Sequence, residues 1–171
     1  MKLILSILVC TGTLLLSNAQ QNKIEVEQSV TVGTDTVKGS LLSTFPLGSK
    51  KIKKQPLVII IPGSGPTDRD GNSAVLGGTN DAYKQLADSL LEYGIASFRY
   101  DKIGVGASTQ NKPEKDLRFS SNMEVVEAIY ENLEEIGFRD IYLLGHSEGS
   151  LIGMMAAQNL DVAGYVSLAG A

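Results

Sequence analysis

The stretch Ile141-Tyr142-Leu143-Leu144-Gly145-His146-Ser147-Glu148-Gly149-Ser150-Leu151-Ile152-Gly153 decides how the chain is read. Its first four residues are apolar without alternation, as in a strand covered on both faces. Leu151 to Leu160 suits a short helix, so Gly145-His146-Ser147-Glu148-Gly149 must carry the chain from strand to helix. A G-x-S-x-G turn holds its serine at the apex in a strained backbone conformation. The residues two positions to either side must be small to avoid collision. The serine oxygen then projects above the sheet, beside a helix N-terminus that favours negative charge. Ser147 is thus a candidate nucleophile, with Gly145, His146 and Gly149 shaping its turn. The competing use of such a serine is to cap the helix, but a cap requires neither flanking glycine.

Upstream, Leu57-Val58-Ile59-Ile60-Ile61 is a second continuous, β-branched strand, and Pro62-Gly63-Ser64-Gly65-Pro66 can continue neither strand nor helix. Ala82, Tyr83, Leu86, Ala87, Leu90 and Leu91 share one face of a helix that Gly94 ends, and Ile95 to Tyr100 is another buried strand. Ser121 and Glu124 are spaced as a capping box opening a further helix. Met123, Val126, Ile129, Tyr130, Leu133 and Ile136 line its inner face, and Gly137 closes it. Tyr165 to Leu168 is a fourth buried strand. At the other end, Ile24-Glu25-Val26-Glu27 and Val30-Thr31-Val32 alternate apolar with polar. A turn at Gly33-Thr34-Asp35 leads into an extended stretch from Thr36 to Phe45, which predicts a hairpin. The pattern predicts an α/β domain over residues 20–171: a mainly parallel sheet flanked by helices, with an N-terminal antiparallel hairpin. A sheet that stops after a strand exposes apolar surface, so further sequence is expected beyond Ala171.

The chain has 171 residues, 43% hydrophobic and 20% charged, within the range of a folded domain. Leu3 to Leu16 is largely apolar and carries no charge, but is shorter than the ~20 residues of a bilayer span. With Lys2 before it and small residues at Ser17 and Ala19 after it, residues 1–19 read as a secretory leader cleaved near Ala19. The expectation is a secreted or periplasmic protein with no stable membrane anchor after cleavage. The only cysteine, Cys10, falls in that segment, so the mature chain carries no thiol nucleophile and no cysteine metal site. Loss of Lys2, the one charge in the leader, takes the net charge from −4 to −5, leaving no basic footprint for nucleic acid. The cluster Lys50-Lys51-Ile52-Lys53-Lys54 reads as a solvated turn before a strand.

Acyl transfer also needs N–H donors aimed at the developing oxyanion. The backbone N–H of Glu148, directly after the nucleophile, is one candidate. The second comes from the loop Gly63-Ser64-Gly65, where glycine permits close approach; Ser64 N–H is the first choice and Gly65 its neighbour. The same glycines do not make a dinucleotide fingerprint, because Asp68 takes the third glycine position. Asp68-x-Asp70-x-Asn72 opens like a calcium loop, but Ser73 and Thr79 stand where glycine and glutamate are required. No metal and no cofactor is expected. Asp68, Arg69 and Asp70 are read as bracing the Gly63 loop through local hydrogen bonds, or else as a solvated turn. Asp101, Gly104 and Gly106 are read as bracing the next turn.

Ile61-Pro62-Gly63-Ser64-Gly65-Pro66-Thr67-Asp68-Arg69-Asp70-Gly71-Asn72, Arg99-Tyr100-Asp101-Lys102-Ile103-Gly104-Val105-Gly106-Ala107-Ser108 and Gly145-His146-Ser147-Glu148-Gly149 together resemble the α/β-hydrolases. Within them the chain is similar to bacterial serine esterases of the serine aminopeptidase-like branch. It departs from that pattern at Ile103, where arginine is usual. The resemblance implies that the triad acid and histidine follow the serine in that order, beyond Ala171, so Asp101 is not the acid. His146 is the only histidine and adjoins the nucleophile, where neighbouring side chains diverge; packing or hydrogen bonding beside the turn is its expected role. The implied activity is hydrolysis of small carboxylic esters through an acyl-enzyme on Ser147, nearly absent from these residues alone without acid and histidine. An amidase or aminopeptidase of the same fold, or a non-catalytic binding protein on that scaffold, is the alternative.

Overall fold

The structure is a computed structural model that describes residues 22–75, 77–111, 113 and 118–170. The expected leader, residues 1–19 with Cys10, lies outside the described residues. Strands β1 (Ile24–Val32) and β2 (Asp35–Ser43) form the antiparallel hairpin, joined by Gly33 and Thr34. Gly33 takes φ 60°, a left-handed conformation that glycine adopts without steric cost. Strands β3 (Leu57–Ile61), β4 (Ala96–Tyr100), β5 (Ile141–His146) and β6 (Gly164–Leu168) follow, with helices α1 (Ala82–Glu92), α2 (Phe119–Ile136) and α3 (Glu148–Ala156) between them.

The sheet order is β1-β2-β4-β3-β5-β6. β2 pairs antiparallel with β4, whereas β4, β3, β5 and β6 are mutually parallel. Chain direction across the sheet therefore reverses at β3: the connection through α1 leads to β4 on one side, and that through α2 returns to β5 on the other. In open α/β sheets, ligands bind in the crevice outside the carboxyl ends of strands at such a switch point. Pairing of Ile61 with Gly145 brings the loop after β3 level with the turn after β5 at that crevice.

Every residue of β3 and β4 is buried, which accounts for the unbroken apolar run of β3; in β4 the buried Arg99 is instead paired with Glu25 and Asp70. Side chains alternate between two cores. Ile59, Phe98, Ile141 and Leu143 pack with Val126, Ile129 and Leu133 of α2 and Ile152 of α3. Val58, Ile60 and Leu144 pack with Tyr83, Ala87 and Leu91 of α1. Among the described residues β1 and β6 are the edge strands, and Val166 and Leu168 on β6 are exposed.

Several boundaries differ from the sequence reading: β2 is Asp35–Ser43 rather than Thr36 to Phe45, and α3 ends at Ala156 rather than Leu160. α2 starts at Phe119, so Ser121 is the third helical residue rather than the cap; its Oγ accepts the N–H of Arg118 at 3.3 Å. α3 begins at Glu148, three residues before Leu151, because the turn at Ser147 passes into helix with no loop between. Lys50–Lys54 is a short 3-10 helix that buries Ile52 and leaves its lysines outward, with Ser49 Oγ accepting Lys51 N–H at 3.3 Å.

Candidate active site

Ser147 closes β5 and opens α3 at φ 53° and ψ −121°, one of the non-glycine residues with positive φ. A conformation of that kind costs roughly 1–3 kcal/mol and survives only where its surroundings impose it. They do so here through backbone. Ser147 N–H donates to Leu168 O at 2.9 Å, and Ser147 O accepts Ser150 N–H at 2.9 Å. Ser150 Oγ donates to Gly145 O at 2.7 Å, closing the turn beneath. A Cβ on Gly145 would run into the backbone of Gly149, and one on Gly149 into the carbonyl oxygens of Ile61 and Pro62. Both glycines are thus required by close approach. The hydroxyl of Ser147 makes no cap bond to α3, and the residue stays partly exposed. That removes the capping alternative.

Across the crevice, Gly63 lies so close to the turn that a Cβ there would sit 3.3 Å from both Ser147 Cβ and His146 Nδ1. Its peptide neighbours are fixed on both sides. Gly63 N–H donates to Tyr83 Oη at 3.2 Å, and Gly63 O accepts Lys102 Nζ at 3.0 Å. Tyr83 Oη is also 2.9 Å from His146 Nδ1, with the two rings edge to face at 5.8 Å between centroids. The contact fits either tautomer, the phenol O–H donating to a bare Nδ1 or Nδ1–H donating to a phenol oxygen that also accepts Gly63 N–H. Burial pushes the Tyr83 phenol up from its ordinary value, and the Gly63 N–H offsets part of that. Tyr83 and Lys102 belong to the site although the sequence reading gave them no role in it.

Ser64 and Ser147 line one open cavity of about 540 Å³, together with Thr79, Asn80, Tyr83 and His146. Gly65, at φ 80°, and Glu148 line a second of about 640 Å³, with Lys102 and Phe119. The nucleophile candidate and the donor candidates Ser64, Gly65 and Glu148 thus border these two cavities. Glu148 is the first residue of α3, where a helix leaves its N–H groups without intrahelical partners.

The charged loop after Gly65 is tied down residue by residue. Asp68 Oδ1 accepts Asp70 N–H at 2.9 Å and Asn72 N–H at 2.8 Å. Arg69 donates to Asp101 twice, from its backbone N–H and from its guanidinium, each at 2.8 Å. Asp70 pairs with the buried guanidinium of Arg99, which also reaches Glu25 at 2.6 Å. Asp101 Oδ2 further accepts Ala107 N–H at 3.0 Å, an approach open only because Gly106 has no side chain to strike that carboxylate. Burial pushes the Asp101 carboxyl up, but the Arg69 guanidinium and the two N–H donors outweigh it and hold the group below its ordinary value. Gly104 has φ 75°. Ile103, in the position where arginine was usual, packs against the larger core. The carboxylates of Asp68 and Asp70 are thus occupied by protein donors, and among the described residues no group of three or more His, Cys, Asp or Glu is placed to hold a metal ion.

A serine at a strained strand-to-helix turn, set at the switch point of a mainly parallel sheet, defines a hydrolase-type α/β domain. The chain belongs to the α/β hydrolase fold family, whose model matches residues 56–170. It is 29% identical over 130 residues to the esterase EstD of Thermotoga maritima, an alignment covering 74% of this chain and 29% of that protein. Among solved structures it is similar to the α/β hydrolase GrgF from Penicillium sp. sh18, with a TM-score of 0.64 and 24% identity, over 86% of this chain and 46% of that one. The dienelactone hydrolase of Anabaena variabilis superposes with a TM-score of 0.63 at 21% identity, over 87% and 64% of the two chains. These two likenesses are of fold. The chain spans less than a third of the length of EstD and about half that of GrgF.

Proposed function

We propose that these residues form the nucleophile-bearing part of a serine hydrolase that cleaves small carboxylic esters. Ser147 Oγ attacks the ester carbonyl, the alcohol leaves, and water releases the acid from the acyl-enzyme. Ser64 N–H and Glu148 N–H receive the oxyanion. The observation that carries the reading is the Ser147 backbone at φ 53°, in a residue whose hydroxyl makes no cap bond and which lines a cavity together with Ser64. Preference for esters over peptides rests on the relationship to EstD, itself named an esterase.

His146 is a poor candidate for the base, because it adjoins Ser147 in the turn and, among the described residues, its ring hydrogen-bonds Tyr83 and not the Ser147 hydroxyl. The reading therefore calls for a histidine and carboxylate from outside residues 22–170, as the span of EstD not covered by this chain allows. The test is labelling of the full-length protein with a fluorophosphonate, alongside hydrolysis of p-nitrophenyl acetate. Wild type should label and turn over, and Ser147→Ala should do neither; labelling that persists in the variant refutes the assignment. Export with cleavage near Ala19 is part of the same proposal, supported by the apolar run from Leu3 to Leu16. An exported protein beginning near Gln20, read by mass spectrometry, is the expected outcome.

A further inference from the structure

We propose that Lys102 is a positioning residue for the oxyanion donors, one ammonium group holding both halves of the site in register. Nζ donates to Gly63 O at 3.0 Å and lies 3.6 Å from Glu148 Oε2. Gly63 O and Ser64 N–H belong to the same planar peptide unit. A bond that fixes the direction of that oxygen fixes the opposite direction of the N–H as well. The preceding peptide unit is fixed by Gly63 N–H on Tyr83 Oη, so the backbone at Gly63 is gripped from both ends. The second contact reaches the carboxylate of the residue whose own N–H is the other proposed donor.

Lys102 is suited to the task by what holds it. The preceding residue, Asp101, is anchored by Arg69 and Ala107, and Ser108 Oγ donates to Asp101 O at 2.8 Å, so the lysine leaves a braced turn. Its side chain is only 16% exposed, which limits competition from water for the ammonium. A charged donor on a carbonyl makes a stronger hydrogen bond than a neutral one and polarises the amide, improving Ser64 N–H as a donor. Glu148 offsets the positive charge, so the contribution is one of orientation more than of net field.

The inference rests on the proposed hydrolase reading, and the experiment separates the two. Full-length wild type, Ser147→Ala, Lys102→Met and Lys102→Arg are compared for p-nitrophenyl acetate hydrolysis, fluorophosphonate labelling rate and thermal midpoint. Lys102→Met should lower kcat by about 10- to 100-fold with KM changed less than about 2-fold, as expected when a donor is misaligned only where charge develops. Lys102→Arg should recover most of that loss. Should Lys102→Met fail to fold, Lys102→Gln carries the test, since its amide nitrogen falls one bond short of the Gly63 oxygen; labelling about tenfold slower per folded molecule is expected. Wild-type kcat in the Met or Gln variant, a loss confined to KM, or no rescue by arginine overturns the role of Lys102 and leaves the hydrolase reading standing. Activity and labelling undiminished in Ser147→Ala refute that reading itself.

Discussion

The hydroxyl of Tyr83, carried on α1, lies 2.9 Å from Nδ1 of His146, the residue immediately before the strained serine. Through the same oxygen it accepts Gly63 N–H, so one phenol joins a flanking helix, the loop after β3 and the turn after β5. Removing the oxygen leaves two groups unpaired, one of them on a buried backbone. Tyr83→Phe is expected to cost about 1–3 kcal/mol in urea unfolding and to slow fluorophosphonate labelling of Ser147. A variant with unchanged stability and labelling would show that the phenol serves only as packing.

Gly149 offers a second test of how the turn is imposed. A methyl there would meet the carbonyl oxygens of Ile61 and Pro62, which are backbone and cannot swing aside. At Gly65 the same methyl meets nothing, although φ 80° makes any L-residue strained there. Gly149→Ala is therefore expected to abolish labelling and to cost at least about 1–3 kcal/mol, as overpacking does. Gly65→Ala should cost about 1 kcal/mol, the strain alone. The pair is read by chemical denaturation and by labelling of the folded fraction. Equal losses in both would mean that collision is not what fixes the turn.

The parts of this fold legible in the sequence are those whose cause is local. The apolar runs of β3 and β5 have the pattern of strands covered on both faces, and Gly145 and Gly149 mark a turn that no other residue can make. Capping was legible in kind but not in place: Ser121 does bond at the start of α2, but from inside the helix, because Phe119 and Ser120 already extend it. Tyr83 and Lys102 were not legible as site residues. Helical period assigns Tyr83 to the core, where its ring does lie, and says nothing of an oxygen that meets a residue 63 positions away. Lys102 looks like any loop lysine until β3 and β4 pair and bring it to Gly63, 39 positions earlier.

The ion pair between Arg69 and Asp101 should make stability depend on acid. Because the folded carboxyl is held below its ordinary value, its contribution is fully present above the unfolded value of about 3.9. It is lost as pH falls through the lower folded value. Asp101→Asn removes it. Wild type is expected to exceed the variant by about 1–3 kcal/mol at pH 7, with the gap narrowing below pH ~4. Urea titrations of both proteins at pH 7, 5 and 3 check this. A gap that stays constant to pH 3 would mean that the loss comes from altered packing and not from the charge.

The strain at Ser147 sets stability against chemistry at a single residue. With φ 53° and ψ −121°, the backbone there is one that glycine adopts freely and serine does not. Nothing in the α3 cap would be forfeited by removing the hydroxyl, since it makes no cap bond. Ser147→Gly is thus expected to raise stability by about 1 kcal/mol or more relative to Ser147→Ala, a shift of about 2–4 °C in Tm for a chain of this size. Both variants should be dead to fluorophosphonate. Alanine is the necessary reference because it keeps the strain while losing the oxygen, so the two variants differ only by one methyl and the conformational freedom its removal gives. If Ser147→Gly melts at or below Ser147→Ala, the turn is not under strain, and the serine is held there without the tension that its position implies.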